Sequence, residues 1–305
     1  MRGRLLEGKE IAEKIKNEVR EEIEKLKKEG TEVSLHSVMI GDNPGSRVYA
    51  RNQKKGAEEV GIVYTLHELP ETKTQEEVIQ FIEELNQDEK VNGIILKVPV
   101  PSHMNAREIQ MRISPQKDAE GMNPYNMGLL VYGRGRMVPC TAKAAMTLLE
   151  STGLSLKGLE VTVVGHSEIV GKPLTLMLLE SLFESPTPTV CHISTKDLSF
   201  HTKRADVLIV AVGKAGLIRG DMIKEGAVVI DIGINRVPVL DERGNPVLDE
   251  KGKKKMKIVG DVVFEEAVEK TSFITPVPGG VGPVTTAILL KNTLEAVKLQ
   301  KGGNI

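Results

Sequence analysis

The sequence predicts an α/β protein of two domains, an N-terminal α/β half followed by a doubly wound parallel sheet. Three observations predict it. A chain of 305 residues with 40% hydrophobic content is long enough for about two cores. Apolar runs of strand length alternate with amphipathic stretches of helical spacing along both halves, the pattern of βα units around a parallel sheet. In the second half several apolar runs end in glycine, as strands do when they open toward a ligand crevice.

Taken in order, Ile11, Ile15, Val19, Ile23 and Leu26 recur at steps of three and four and mark an amphipathic helix ending near Gly30. Val33 to Ile40 reads as a strand, GDNPGS as a turn, residues 46 to 60 as a helix closed by Gly61, and 62 to 70 as a second strand. A helix over 74 to 86 carries Val78, Phe81 and Ile82 on one side, and GIILKVPVP is a buried strand that its prolines bring to an end. A stretch rich in Pro, Asn and Gly, 114 to 139, precedes a helix from Thr141 to Ser151 that bridges the domains. The second half reads as strand 160 to 165, helix 171 to 183, strands 188 to 193, 206 to 212, 227 to 233 and 272 to 276, and a final helix from about 283. VPVLDERGNPVLDEKGKKKMK, with its glycine turns, reads as an exposed hairpin insertion and its lysine run as a solvated face.

Composition removes several functions. Lys and Arg number 41 against 42 Asp and Glu, so no large field of one sign draws nucleic acid or anionic lipid. Aromatic residues make up 3% with no Trp, which leaves few stacking platforms for single strands. Cys140 and Cys191 lack CxxC spacing and the histidines form no HExxH, so neither a disulfide nor a metal is expected. The N-terminus turns charged before an apolar segment can form, and the longest strand-like apolar run, Val207 to Val212, is far below spanning length; no membrane partner and a cytoplasmic location are expected.

Four segments carry chemistry, and a lone lysine adds to them. EVTVVGHSEIVGKP ends a strand at Gly165 and opens a helix around Gly171 to Pro173, where free N–H groups and the helix dipole favour an anion. It departs from GxGxxG, with Ser167 at the second glycine position, and a tight βα turn without ligand has the same grammar. SRVYARNQKK puts Ser46, Tyr49 and Gln53 on one helix face, able to address one substrate or simply facing solvent. Lys97 interrupts IILKVPV and would be costly to bury without a partner, unless its head snorkels at the strand end. KDAEGMNPYN offers Lys117, Asp118 and Glu120 on a loop, where a carboxylate could accept from a heterocyclic amine. TPVPGGVGPVT, directly after a strand, forms a rigid surface open to close ligand approach.

Together these segments resemble the bifunctional methylenetetrahydrofolate dehydrogenase/methenyltetrahydrofolate cyclohydrolase family, in the order LLEGKEIA, VMIGDNPGSRVYARNQKKGAEEVGI, GIILKVPVP, KDAEGMNPYNMG, VPCT, VVGHSEIVGKP, ADVLIVAVGK, VVIDIGIN, GDVVF and ITPVPGGVGP. The resemblance implies a folate domain over 1–140, a Rossmann domain over 141–282, a last helix (about 283–300) packing back on the first domain, an active cleft between the two, and a homodimer. It implies oxidation of 5,10-methylenetetrahydrofolate by NADP or NAD and hydrolysis of the methenyl product to 10-formyltetrahydrofolate, in one-carbon metabolism that feeds purine biosynthesis. By the same resemblance Tyr49 covers the folate, Ser46 lies on its wall, Glu120 stands where the family has a pterin-binding Asp, and Pro278, Gly279 and Gly280 wall the pocket. Thr141, Gly165, His166, Ser167, Ile169, Ile193, Val212, Gly213 and Ile234 fall at cofactor positions.

Two departures stand out. The family has Lys four residues after the Tyr and Gln in the strand motif; here they are Gln53 and Lys97, so the pair is exchanged. If the side chains touch, amine and amide stay in one network and Lys97, desolvated, suits general base work. The rivals are a monofunctional dehydrogenase, in which the exchange abolishes the hydrolytic step but leaves hydride transfer, and a non-catalytic folate- or nucleotide-binding relative whose network has decayed. A hydroxy-acid dehydrogenase would need a Lys/Asp or His/Asp pair that the sequence does not place. The second departure is Ile193, where the family often has Ser or Arg beside the 2′-phosphate, with His166 replacing a frequent Arg; losing such partners weakens NADP, the family default, relative to NAD.

Overall fold

The computed structural model describes residues 2–241, 243–250 and 252–302, so Glu242 and Lys251 of the insertion lie outside the described residues. A short strand β1 (Arg4–Leu5) precedes α1 (Gly8–Lys28), whose Ile15, Val19 and Ile23 are buried at helical spacing. After β2 (Ser34–Ile40) comes α2 (Pro44–Val60); Asn43 caps it by accepting from Ser46 N–H, Pro44 fits the first turn, and Gly61 ends it in the left-handed region. β3 (Val63–Leu69) leads to α3 (Gln75–Gln87), started by the reciprocal Thr74 and Glu77 capping box. β4 (Gly93–Leu96), α4 (Ala106–Gln110), α5 (Pro124–Val131) and α6 (Cys140–Glu150) follow. Then come β5 (Glu160–Val164), α7 (Gly171–Leu178), β6 (Thr187–Cys191), α8 (Leu198–Thr202), β7 (Val207–Val210), β8 (Val228–Asp231), β9 (Asn235–Pro238), β10 (Met256–Val259), α9 (Phe264–Ala267), β11 (Phe273–Ile274) and α10 (Val281–Gln300).

Several elements differ from the reading of the sequence, which marked none of the short helices α4, α8 and α9. The helix expected over 171 to 183 stops at Leu178, because the Ser181 hydroxyl accepts from the N–H groups of Phe183 and Glu184 and offers the backbone a local alternative. The stretch 114 to 139 contains α5, opened by Asn123 accepting from Tyr125 N–H just ahead of Pro124. β1 has only two residues, too few for a periodic signal.

The chain forms two compact units, one made of Glu10–Lys143 with the residues from Thr285 on, the other of the residues up to Lys9 with Ala144–Val284. The first unit holds a parallel sheet in the order β3-β2-β4, with Leu35 beside Tyr64 on one side and Gly93 on the other. Val38, Ile40, Ile94 and Leu96 pack with Val78 and Ile82 of α3 and Ile109 of α4. The C-terminal helix belongs here: Asn292 Nδ2 donates to the carbonyls of Ala119 and Val138, each at 2.9 Å, and Gln300 Nε2 to those of Asn92 (2.8 Å) and Gln116 (3.0 Å).

The second unit holds a six-stranded parallel sheet in the order β1-β11-β8-β7-β5-β6. From β5 the chain winds outward to β6, then returns to the other side for β7, β8 and β11, which is double winding with its reversal between β5 and β7. Val164, Leu208, Val210, Val229 and Ile274 are buried together in its core. β9 and β10 pair antiparallel, Asn235 opposite Val259, so the insertion is a hairpin. No helix among the described residues is long and apolar enough to cross a membrane.

Candidate active site

In open parallel sheets ligands bind beyond the carboxyl ends of strands, where the winding reverses. Both sheets have such a point. In the first unit it lies between β2 and β4, and the residue there is Lys97. Its N–H still donates to the Val38 carbonyl (2.7 Å), while its side chain is only 6% exposed. Gln53 on α2 is its partner, with Lys97 Nζ donating to Gln53 Oε1. The exchanged amine and amide therefore do touch. Ser46, two turns earlier on the same face, is buried and its hydroxyl donates to the Val98 carbonyl (3.1 Å), which ties α2 to the segment after β4. Tyr49, one turn before Gln53, is half exposed.

Glu120 reaches this corner because its loop runs along β4: Ile94 N–H donates to the Lys117 carbonyl (2.7 Å) and Ala119 N–H to the Ile94 carbonyl (3.3 Å). The other charged residues of that loop serve structure. Lys117 Nζ donates to the carbonyls of Leu85 (3.2 Å) and Asp88 (2.8 Å), and buried Asp118 accepts from Asn123 N–H (2.7 Å) and Asn126 Nδ2 (2.9 Å). Glu120 keeps part of its surface in solvent, yet the protein packed around its carboxyl pushes it up to about 7, with Lys97 opposing and Asp118 reinforcing. Burial lowers the Lys97 amine from its ordinary value, with Glu120 and the Cys140 thiol opposing. Burial also pushes Cys140 well up, and its Sγ donates to the Ala119 carbonyl (3.4 Å). The cluster thus pairs an amine that sheds its proton more readily with a carboxyl that keeps its proton longer.

In the second unit the reversal lies between β5 and β7. Gly165, at φ +114°, ends β5 so close to β7 that a Cβ would stand 2.2 Å from the Ala211 carbonyl oxygen. A Cβ on Gly171 would stand 2.0 Å from the Gly165 carbonyl oxygen, so only glycine lets α7 begin hard against the turn. Ser167 shapes that turn, its Oγ accepting from Val170 N–H (3.2 Å) and its carbonyl from Lys172 N–H (3.0 Å). Val170 supplies no side-chain cap to α7. A helix N-terminus without such a cap, behind a turn that closes only with glycine, fits a pyrophosphate.

Two aspartates that the sequence reading gave no role build the β7 side. Asp261 accepts from the N–H groups of Val212 (2.7 Å), Gly213 (3.0 Å) and Lys214 (2.8 Å). Asp231, at the end of β8, accepts in turn from Asp261 N–H (3.0 Å), Val262 N–H (2.9 Å) and Gly233 N–H (2.9 Å), and burial pushes its carboxyl up to about 6. Their signal was present: a carboxylate closing VVID and another opening DVVF must find partners once the strands are buried. Around this crevice Ile169, Ile193 and Ile234 are exposed, and His166 and His192 stack with centroids 4.9 Å apart.

The loop after β11 also lies in this unit. The Val277–Pro278 bond is cis, Gly279 has φ +113°, Gly280 N–H donates to the Pro276 carbonyl (2.8 Å) and Gly8 N–H to that of Gly279 (2.8 Å). Pro278 and Gly279 are exposed. Ser46, Tyr49, Gln53, Lys97 and Glu120 thus share the first unit, as does Thr141 on the first turn of α6, while the remaining expected cofactor positions and Pro278 to Gly280 share the second.

The comparisons with known proteins agree over the whole length. Residues 6–120 match the catalytic domain of tetrahydrofolate dehydrogenase/cyclohydrolase, and residues 139–301 its NAD(P)-binding domain. The bifunctional protein FolD of Moorella thermoacetica is 47% identical over 98% of this chain and all of that protein. The crystal structure of the bifunctional enzyme FolD, methylenetetrahydrofolate dehydrogenase/cyclohydrolase, from Campylobacter jejuni is 43% identical, with a TM-score of 0.88 over 97% of this chain and 99% of that one. That of Trypanosoma brucei methylenetetrahydrofolate dehydrogenase-cyclohydrolase, complexed with NADP and an inhibitor, is 35% identical, with a TM-score of 0.89 over 99% of this chain and 100% of that one. With both domains matched and identity this high across the full length, the chain belongs to the tetrahydrofolate dehydrogenase/cyclohydrolase family.

Proposed function

We propose that this protein oxidises 5,10-methylenetetrahydrofolate to the methenyl form with NAD(P) and then hydrolyses that product to 10-formyltetrahydrofolate. The observation that carries the hydrolytic half is the contact of Lys97 Nζ with Gln53 Oε1, which keeps amine and amide in one network although their positions are exchanged. No observation favours hydride transfer without hydrolysis. In this reading residues 1–140 and the last helix bind folate, and residues 141–282 bind the nucleotide.

Bound NAD(P) would supply the acceptor for a hydride from the methylene carbon. The chain's part is positioning: in the first unit Tyr49 covers the folate, Ser46 supports its wall, and Glu120 accepts from the pterin amines. The turn from Gly165 to Ile169 would hold the pyrophosphate, with Val212, Gly213 and Ile234 of the same unit completing that surface. In the second step water adds to the methenyl carbon and loses one proton to the neutral Lys97 amine, which passes it to N5 as the C–N5 bond breaks; the remaining hydroxyl proton leaves to solvent as the formyl C=O forms. Gln53 holds the amine in place through its Oε1. A lowered amine makes neutral Lys97 available nearer neutral pH than an ordinary lysine. Cytoplasmic location and a homodimer complete the reading, both on family resemblance.

The test is a pair of spectroscopic assays on the purified protein: reduction of NADP or NAD with methylenetetrahydrofolate, and hydrolysis of chemically prepared methenyltetrahydrofolate. Both proceed if the reading is right; hydride transfer alone refutes the role given to Lys97, and neither activity refutes the enzyme.

A further inference from the structure

We infer that the nucleotide crevice takes NAD in preference to its 2′-phosphorylated form, an inference that rests on the dehydrogenase reading above. In doubly wound sheets the glycine turn after the first strand holds the pyrophosphate, and a residue about 20 positions on meets the ribose: an acid for the 2′-hydroxyl, or an arginine for a 2′-phosphate. Here the second strand is β6, which ends at Cys191. His192, Ile193, Ser194 and Thr195 follow.

These residues form a closed turn. Thr195 N–H donates to the His192 carbonyl (2.9 Å), His192 N–H to Thr195 Oγ1 (2.9 Å), and Ser194 N–H to His192 Nδ1 (3.2 Å). An Nδ1 that accepts a backbone N–H leaves Nε2–H to donate outward. His166, from the end of β5, lies parallel to it within 15°. Ile193 is fully exposed at the tip.

No arginine lies in either segment, His166 to Lys172 or His192 to Lys196. Of their two lysines, Lys172 pairs with Glu168 (3.5 Å). Lys196 lies beyond the turn, next to Asp197, whose carboxylate accepts from Phe200 N–H (3.0 Å). A ribose 2′-hydroxyl is satisfied by polar groups such as His192 Nε2–H and the Ser194 hydroxyl. A 2′-phosphate carries about −1.5 to −2 charges and needs charge-assisted donors, where this turn presents an isoleucine.

The test is calorimetric titration of the full chain with NAD and with NADP, without folate, and thermal shift at saturating nucleotide as a second readout. NAD binds about tenfold or more tightly than NADP, and Ile193→Arg tightens NADP about tenfold relative to NAD. Lys196→Gln leaves the ratio of the two affinities where it was. Tighter NADP binding by the parent, or an NADP affinity that Ile193→Arg does not improve relative to NAD, overturns this inference alone. Failure to bind either nucleotide overturns the dehydrogenase reading, and this inference with it.

Discussion

Replacing Lys97 with Met separates catalysis from stability at the exchanged pair. The substitution keeps an unbranched side chain of similar volume in a buried position and removes the amine that Gln53 accepts from. A positioned general base contributes about 10²–10⁴ in rate, so hydrolysis of methenyltetrahydrofolate falls by that factor, about 3–5 kcal/mol of barrier. The effect on folding is small because two terms oppose. Gln53 Oε1 loses its donor, a cost near the lower end of about 1–3 kcal/mol because Gln53 is not fully buried. Against that, the fold no longer strips water from an ammonium, the burial that lowers the amine in the first place. The net change is about 1 kcal/mol in either direction. Without Lys97 the Glu120 carboxyl also rises further above about 7, so the pH limb of folate binding moves up. The assay is single-turnover loss of methenyl absorbance across pH, beside urea unfolding of the same samples. A Lys97→Met variant that hydrolyses within about tenfold of the parent while unfolding at the same urea concentration refutes the assignment of the base.

Gln53→Lys alone sets two amines against each other, which lowers both and slows hydrolysis; adding Lys97→Gln restores one amine and one amide, and kinetics of both variants show whether the rate recovers. Asp261→Ala strips the acceptor from the N–H groups of Val212, Gly213 and Lys214, costing about 3 kcal/mol or more and weakening nucleotide binding, read by thermal unfolding and by NAD titration. His36, whose Nδ1 lies 2.9 Å from His67 Nε2, is held down to about 4 by burial first and by His67 second. The unfolded chain binds that proton near about 6.5, so its contribution is whole above that pH and is lost as pH falls toward about 4. Urea midpoints of the parent against His36→Gln, measured between those limits, show the parent losing more.

The local grammar of this protein could be read from its sequence. Asn43, Thr74 and Gly61 start or stop helices through bonds within four residues, and such signals need no distant partner. The alternation of apolar strands with amphipathic helices likewise announced parallel sheets, since each element must bury one face. The face shared by Ser46, Tyr49 and Gln53 followed from helical geometry, and the glycines at 165 and 171 from the demands of a tight turn.

What the sequence could not supply were meetings between residues far apart in the chain. Lys97 and Gln53 stand 44 positions apart, and only the pairing of β2 with β4 sets the strand end beneath α2. The segment 117–120 looked like any polar loop until its backbone bonded to Ile94 and set Glu120 at that corner. Asp261 and Asp231 are 30 positions apart, and their roles exist only because three strand ends converge, leaving N–H groups that a buried carboxylate must accept. Residue type and spacing decide local conformation because those energies are local. The charge state of Lys97 and Glu120 belongs to the tertiary structure, because burial and distance to other charges have no value until the fold closes.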